Sequence, residues 1–383
     1  MDRVDNLLAR AREQTELTDF GADGFLEGLR IFVKALDEEA KLNEMGRAAN
    51  DGQILMLLGN RLQVEDWYRR HPEIDEQEIV APLIGLGLPR TGSTALGILL
   101  GEDSAARSLR NWEAVWPCPP PEAATYNSDP RIALMEQSMK RRAKLFPRMT
   151  AMLPSTATSP TECQTIMGLD FKSQLLHAFV HVPSYVEWLN HKADLVPTYR
   201  YVKRVLKLLQ WRCPPTKWRL KNPSHIMFIN ALNEVFPDAR FVMTHRDIGA
   251  VAPSVADLYY ELRKAYSDEV DMIALGDEIK TFLELGMRRM IAFRDGGQEH
   301  RFFDIHFAPF QKDPFPSLEA LYAWMGETLS DSARENMKRW WYGTPPEGRS
   351  YERTDPAEFG LDPATLHVQF SFYSSRFSPP QAA

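Results

Sequence analysis

The sequence contains few cysteines and has no excess of basic residues. Only three cysteines, Cys118, Cys163 and Cys213, occur among 383 residues, and the formal net charge is −7. An odd and widely spaced set of cysteines gives neither a disulfide framework nor a Cys-x-x-Cys metal site, and it suits a reducing compartment. An acidic chain also argues against a general nucleic-acid binder, which needs a basic face. We therefore expect a cytoplasmic protein without a nucleic-acid partner.

Long apolar runs are missing as well. The start, Met1-Asp2-Arg3-Val4-Asp5, is too polar for a secretory signal, and no stretch approaches the ~18 apolar residues that span a bilayer. No cluster of carboxylates with the spacing of a magnesium site is evident. With 44% hydrophobic and 25% charged residues, the composition is that of an ordinary globular enzyme. We expect no integral membrane segment and no metal.

One loop combines a cation, a glycine and hydroxyl side chains. The pattern predicts a buried strand over 83–88, a tight loop over 89–92 and a helix that begins at Ser93. Backbone N–H groups at a helix start, together with a guanidinium, bind a phosphate- or sulfate-like anion. The Gly-Lys-[Ser/Thr] of nucleoside triphosphatases is absent, because Gly92 is followed directly by Ser93 and Arg90 is the only cation of the loop.

Two more predicted strands end in basic residues. Lys221 ends a segment that starts at Lys217, and Arg246 follows a strand over 241–244. Ligands of open parallel sheets bind at the carboxyl ends of the strands, so we expect both cations near the first loop. Ser254 lies eight residues after Arg246, about two helical turns, and therefore near the same face of a helix. The sequence predicts an α/β fold with a central parallel sheet flanked by helices.

Both segments resemble those of the sulfotransferases that use 3′-phosphoadenosine 5′-phosphosulfate (PAPS). In that family a Pro-[Lys/Arg]-[Ser/Thr]-Gly-[Ser/Thr]-Thr loop binds the 5′-phosphosulfate, and residues 89–94 match it position by position. The family's 3′-phosphate motif is an arginine at a strand end and a serine eight residues on, as in Arg246 and Ser254. Lys221 takes the place of the lysine that contacts the transferring group. The resemblance covers roughly residues 80–377 and is closest to the bacterial and tyrosylprotein-like branch.

The resemblance implies a P-loop-like sulfotransferase fold and an enzymatic function. It implies that the protein moves the sulfuryl group of PAPS to a hydroxyl of a small, lipophilic acceptor by in-line displacement, leaving 3′,5′-ADP. Such a reaction needs cations at the developing charge, here Arg90 and Lys221, and a general base, here Glu113. The implied PAPS-binding residues are Arg90, Thr91, Gly92, Ser93, Thr94, Ala95, Arg246, Ser254 and, in a loop near the carboxyl end, Arg349.

The identity of the base stays open at this point. Cytosolic members of the family carry a histidine two residues after the lysine, where this chain has Pro223. The tyrosylprotein-like branch uses a glutamate just past the first loop helix, and Glu113 stands at the position that resembles it. Trp112 and Trp116 predict an enclosed, apolar setting for this carboxylate. The alternatives for the base are Glu162, His177, His181 and His225.

The sequence divides into an N-terminal helical extension over residues 1–78 and a sulfotransferase domain over 79–383. In the extension, apolar residues recur with helical spacing, and Asn50-Asp51-Gly52 predicts a break between two helices. The aromatic-rich region of about 101–216 is predicted to form the walls of an acceptor pocket.

The sequence leaves the acceptor open among a lipid, a sterol, a phenol and a sugar, and it leaves open whether the protein forms a homodimer. A P-loop-type small-molecule phosphotransferase and a non-catalytic nucleotide-binding protein of the same fold are the alternative functions.

Overall fold

The computed structural model describes residues 2–343 and 352–377. They form two compact units, and each unit is assembled from separate segments of the chain. The first unit contains the described residues of Met1–Val80, together with Leu109–Thr216 and Glu261–Val270. The second contains the described residues of Ala81–Ser108, Lys217–Tyr260 and Asp271–Ala383. The predicted anion-binding loop, Lys221 and Arg246 all belong to the second unit.

Helices make up most of the described chain. Up to residue 216 they are α1 (Arg3–Thr15), α2 (Phe25–Glu38), α3 (Glu44–Arg70), α4 (Ser93–Gly101), α5 (Asn111–Val115), α6 (Pro130–Leu145), α7 (Pro147–Met152), α8 (Gln164–Met167), α9 (Gln174–Ala178), α10 (Pro183–His191) and α11 (Val196–Gln210). Beyond it they are α12 (Ile229–Val235), α13 (Ile248–Arg263), α14 (Met272–Phe293), α15 (Phe307–Lys312), α16 (Phe315–Trp324), α17 (Asp331–Gly343), α18 (Pro363–Gln369) and α19 (Ser371–Phe377). Within the described ranges, none of these helices combines the length and the apolar character needed to cross a bilayer.

Helix α3 shows that the predicted break at Asn50-Asp51-Gly52 is wrong. The helix continues through this segment, and the Asn50 side-chain amide donates a hydrogen bond of 2.8 Å to the carbonyl oxygen of Gly46. Further along, Leu58 and Leu62 are completely buried, and the helix packs along α1. A glycine inside a helix costs only about 1 kcal/mol, and burying one leucine outweighs that.

The second unit is built on a five-stranded sheet in which every strand is parallel to its neighbours, in the order β2-β3-β1-β4-β5. Its strands are β1 (Leu83–Gly87), β2 (Arg107–Ser108), β3 (Trp218–Lys221), β4 (Arg240–His245) and β5 (Phe302–His306). All of β1 is buried, as expected for a central parallel strand with both faces covered. The sheet confirms the predicted α/β fold, and it brings the carboxyl ends of β1, β3 and β4 to one edge.

A buried apolar cluster joins the sheet to helices α4, α16 and α17. It contains Leu96 and Leu99 of α4, Val242 of β4, Leu318 of α16 and Met337 of α17. Because α4 packs through this cluster, both ends of the loop between β1 and α4 are anchored in the core. The loop over 88–92 is therefore presented in a fixed conformation.

Candidate functional site

The loop after β1 makes a sharp reversal before α4 begins. Arg90 has φ of 63° and Gly92 has φ of 93°, so both adopt left-handed backbone conformations. A side chain at Gly92 would also collide with the ring of Phe307, since an added Cβ would lie 3.1 Å from a ring carbon. Gly92 precedes α4 without a side chain to cap it, so the N–H groups of the first turn are directed toward a ligand or water.

Two predicted anion-binding motifs meet at this loop. The Arg90 guanidinium donates a hydrogen bond of 3.1 Å from Nε to the hydroxyl of Ser254 on α13. Arg246, which follows β4, donates a hydrogen bond of 2.9 Å from Nη1 to the backbone carbonyl oxygen of Arg90. The Arg246 guanidinium also lies 4.3 Å from the ring centre of Phe307. The contacts place both arginines and Ser254 in one cluster.

Thr91 contributes to the loop in a way that the sequence did not predict. Its side chain is buried, donates a hydrogen bond of 2.7 Å to the carbonyl oxygen of Leu88, and lies 2.6 Å from the hydroxyl of Thr244. One hydroxyl hydrogen cannot serve two partners, so Thr244 is the donor in the second bond. The Thr91 side chain thus fastens the loop to β4, whereas Ser93 is half-buried and Thr94 is exposed.

Lys221 ends β3 and is buried, with 7% of its surface exposed. Two glycines make room for its side chain. A Cβ added at Gly85 on β1 would lie 3.2 Å from the Cβ of Lys221, and one added at Gly97 on α4 would lie 3.0 Å from its Cδ. The aliphatic stem of the lysine therefore runs between the end of β1 and the first half of α4.

The position of Gly97 leads to a testable prediction. On the prediction that Lys221 contacts the transferring group, we expect Gly97→Ala to lower kcat by up to about tenfold, because the stem of Lys221 must move aside and small displacements of a reacting group are costly. Folding stability should be unchanged or higher, since alanine favours a helix over glycine by about 1 kcal/mol. Gly52→Ala on α3 is the matched control, because nothing lies within 4 Å of its added Cβ. Unchanged kcat in Gly97→Ala would contradict this role of the glycine.

A network of side chains behind the cluster supports the strand end that carries Arg246. His245 Nε2 lies 2.8 Å from Asp304, and Arg294 donates two hydrogen bonds to the same carboxylate. The Tyr373 hydroxyl lies 3.2 Å from His245 Nδ1 and donates to the carbonyl oxygen of Arg246 at 3.4 Å. Burial would raise the pKa of Asp304, but bonds from Arg294 and His245 hold the pKa well below its usual range. Sequence reasoning missed this network, because it joins His245 to residues that lie 59 and 128 positions away in the chain.

The two candidate glutamates lie in the first unit. Glu113 is fully buried in α5, where Oε2 accepts hydrogen bonds of 3.1 Å from the Arg110 backbone N–H and from the Tyr126 hydroxyl. The bond from Arg110 is one half of a capping box, because the side chain of the third helical residue caps the backbone N–H before the helix. Arginine has no acceptor for the return bond, so Glu113 alone forms this cap and is held in one orientation. Glu162 is half-buried and accepts a hydrogen bond from the side-chain amide of Gln164.

The candidate histidines differ in burial. His177 on α9 is buried and His181 is exposed. His225, in the 3-10 turn Pro223–Phe228 of the second unit, is only 1% exposed, and burial lowers its pKa from 6.5 to about 3. The imidazole is therefore neutral in the folded protein. Arg349, the remaining predicted PAPS-binding residue, lies outside the described residues.

His225 makes folding stability depend on pH. Its pKa is lower in the folded than in the unfolded chain, so below pH 6.5 the unfolded chain takes up a proton that the folded chain refuses. Stability is therefore lost as the pH falls, by up to about 1.4 kcal/mol per pH unit from this group. The free energy of unfolding, measured in urea, should fall between pH 7 and pH 5 by about 1–2 kcal/mol less in His225→Gln than in the parent. The exposed His181→Gln should behave as the parent, and an unaltered pH dependence in His225→Gln would refute the assignment.

Comparison with known proteins places this chain among sulfotransferases. A sequence model described as the sulfotransferase family matches residues 82–331. The crystal structure of sulfotransferase STF9 from Mycobacterium avium superposes with a TM-score of 0.92 at 30% identity, covering 99% of this chain and 97% of that one. Sulfotransferase STF1 from Mycobacterium tuberculosis superposes with a TM-score of 0.86 at 29% identity, covering 97% and 99%.

A curated relative is similar over a shorter stretch. The omega-hydroxy-beta-dihydromenaquinone-9 sulfotransferase Stf3 of Mycobacterium bovis is 31% identical over 109 residues, and an equal match is found in Mycobacterium tuberculosis. The aligned part covers 28% of this chain and 28% of that relative. The chain therefore matches less than a third of the length of these curated relatives.

Proposed function

This chain belongs to the sulfotransferase family, and from that membership we propose that it transfers the sulfuryl group of PAPS to a hydroxyl of a small, lipophilic acceptor. The observation that carries the proposal is the cluster at the start of α4. There the Arg90 side chain is bonded to Ser254, and Arg246 is bonded to the Arg90 backbone. Lys221 reaches the same sheet edge from β3, next to β1.

The residues of the second unit fit a donor that carries phosphate groups at both ends. The first N–H groups of α4, with Arg90 and Lys221, would hold the 5′-phosphosulfate, because an anion is stabilised at a helix start and by nearby cations. Arg246 and Ser254 would hold the 3′-phosphate through charge-assisted hydrogen bonds. When bound, PAPS supplies the sulfuryl group and a nucleotide that leaves with negative charge.

The residues of the chain have separate roles in the transfer. Lys221 and Arg90 stabilise the charge that develops on the departing oxygen, and their fixed positions mean that no reorganisation is needed. We assign Glu113 as the base that accepts the proton of the acceptor, with Glu162 as its main rival. The hydrogen bonds from the Arg110 backbone N–H and the Tyr126 hydroxyl orient the Glu113 carboxylate.

The class of acceptor is proposed from two observations. The relative Stf3 is named for a hydroxylated menaquinone, which is a lipophilic alcohol. Residues 101–216, which we propose to bind the acceptor, include buried aromatic side chains such as Tyr185, Trp188 and Tyr199. The division into residues 1–78 and 79–383, the cytoplasmic location and the homodimer stay predictions from the sequence.

Calorimetry and a transfer assay test the proposed function together. We expect the protein to bind 3′,5′-ADP and not ATP, and to move radiolabel from PAPS to a component of a lipid extract. The Lys221→Met variant keeps the stem between Gly85 and Gly97 but removes the charge. It should transfer the sulfuryl group about 100- to 1000-fold more slowly than the parent. Binding of ATP in place of 3′,5′-ADP would indicate a phosphotransferase. Binding of 3′,5′-ADP without any transfer would indicate a non-catalytic nucleotide-binding protein.

A further inference from the structure

Helix α6 of the first unit is anchored through one face. Ile132, Met135 and Met139 pack with Trp112 in a small buried cluster. At the start of the helix, the Arg131 guanidinium makes two hydrogen bonds with the carboxylate of Asp129 and two with backbone carbonyl oxygens. These contacts fix the rotation of α6 about its axis, and so they determine which residues face solvent.

One stripe on the exposed side of α6 combines two leucines with an arginine and has basic residues on both sides. At 100° per residue, Leu134, Arg141 and Leu145 lie within about 40° of one another. Arg142 and Lys144 flank this stripe, each about 80° from Leu134 and on opposite sides. The leucines are 55% and 64% exposed, which is unusual for side chains that gain free energy by leaving water. We refer to these five residues as the α6 face.

The charge around the α6 face is of one sign. Lys140, Arg141, Arg142 and Lys144 are exposed, and their side chains form no ion pair with any other residue in the described ranges. The single acid of the helix, Glu136, lies about 160° away from Leu134. This concentration of cations occurs in a chain whose net charge is −7. It is therefore a local feature and does not reflect the overall composition.

A third exposed leucine follows the next helix. Leu153, just after α7, is 42% exposed. Leu134, Leu145 and Leu153 are three of the eight large apolar side chains that are exposed among the described residues. Their grouping within twenty residues, beside four cations, distinguishes this surface from isolated exposed leucines, which need no explanation.

We propose that the α6 face, with Leu153, docks on the surface of an anionic lipid bilayer. Exposed leucines set among lysines and arginines on one side are the pattern of a helix that lies in the interface, with its axis parallel to the membrane. The leucines enter the boundary between headgroups and acyl chains, and the long basic side chains reach lipid phosphates from either side. The proposal concerns binding to a surface and does not depend on the transfer reaction.

A bilayer explains this surface better than a second copy of the chain does. The leucines are separated along the helix and do not form a continuous groove or ridge for a matching protein surface. Arg141 lies between the two leucines and the other cations lie on both sides of them, as an evenly anionic plane requires. A protein partner would have to supply carboxylates both between and beside its apolar contacts.

Sedimentation with vesicles tests the proposal with the full chain. We expect partitioning onto vesicles of phosphatidylcholine with a quarter of phosphatidylglycerol to be at least tenfold stronger than onto pure phosphatidylcholine, and to weaken as salt is added. Each removed charge near an anionic surface should reduce partitioning about fivefold, so Arg142→Gln with Lys144→Gln should reduce it about 25-fold. Leu134→Ser with Leu145→Ser should also abolish most of the binding.

Matched substitutions elsewhere provide the controls. Arg334→Gln with Lys338→Gln removes two charges from α17, and Val368→Ser removes an apolar side chain that is 76% exposed. Both controls should bind vesicles as the parent does, and all variants should keep the parent's affinity for 3′,5′-ADP, which reports folding. Equal binding to the two kinds of vesicle, or full binding by the α6-face variants, would overturn the proposal. Loss of a dimer in these variants, without vesicle binding by the parent, would instead identify an interface between copies.

Discussion

Replacing Arg246 and Ser254 with alanine should weaken the binding of 3′,5′-ADP by about 100-fold or more. Each charge-assisted contact to a phosphate contributes about 1.5–3 kcal/mol, and the double variant removes both of those assigned to the 3′-phosphate. Isothermal titration gives the two dissociation constants directly. A double variant with the parent's affinity would show that Arg246 and Ser254 do not bind the nucleotide.

Titration with 5′-AMP separates phosphate recognition from damage to the loop. Arg246 and Ser254 also contact Arg90, so their loss can loosen the loop and reduce 5′-AMP binding by a few-fold. The ratio of the two affinities should nevertheless fall strongly, because only 3′,5′-ADP carries the 3′-phosphate. Arg288→Ala on α14 is the matched control, since this exposed arginine pairs with Glu284 and is no part of the cluster. It should leave both affinities unchanged.

Glu113→Gln should reduce turnover by roughly 100-fold or more while leaving the binding of 3′,5′-ADP intact. Glutamine cannot accept the proton of the acceptor. Its amide oxygen can still accept the hydrogen bonds that the Arg110 N–H and the Tyr126 hydroxyl donate to Glu113. The fold should therefore survive, and the loss should appear in kcat. Single-turnover assays with saturating PAPS measure the effect on the transfer step itself.

Two further variants distinguish a base from a structural cap. Tyr126→Phe removes one hydrogen bond to Glu113 but leaves its charge, so a purely structural role predicts that Tyr126→Phe and Glu113→Gln have similar small effects. A catalytic role predicts a large effect for Glu113→Gln alone. A normal Glu113→Gln beside an inactive Glu162→Gln would transfer the role to Glu162. Full activity in both would leave a histidine as the base.

The sheet and its basic edge could be predicted from the sequence because parallel strands impose them. Buried strands ending before Arg90, at Lys221 and before Arg246 must bring these cations to one edge once the strands are adjacent. The helical position of Ser254 followed from its eight-residue spacing to Arg246. These inferences needed only strand direction and helical period, which are local properties of the chain.

Other features depend on contacts between distant residues. The continuous helix α3 was missed because burial against α1 outweighs the turn-forming tendency of Asn50-Asp51-Gly52. The cap formed by Glu113 was missed because its partner position is Arg110 instead of the usual serine or threonine. The bond between the hydroxyls of Thr91 and Thr244 joins residues 153 positions apart, and nothing in either local sequence predicts it.

The bonds that Arg90 makes with Ser254 and Arg246 mean that the two phosphate-binding motifs form one assembly. If the two motifs were independent, occupying one would leave the affinity of the other for its phosphate unchanged. Here, we expect the occupation of either motif to steady Arg90 and so to lower the entropy that remains to be lost at the other. We therefore expect a phosphate bound at one motif to raise the affinity of the other, which would favour a donor that carries both phosphate groups over mononucleotides that carry only one.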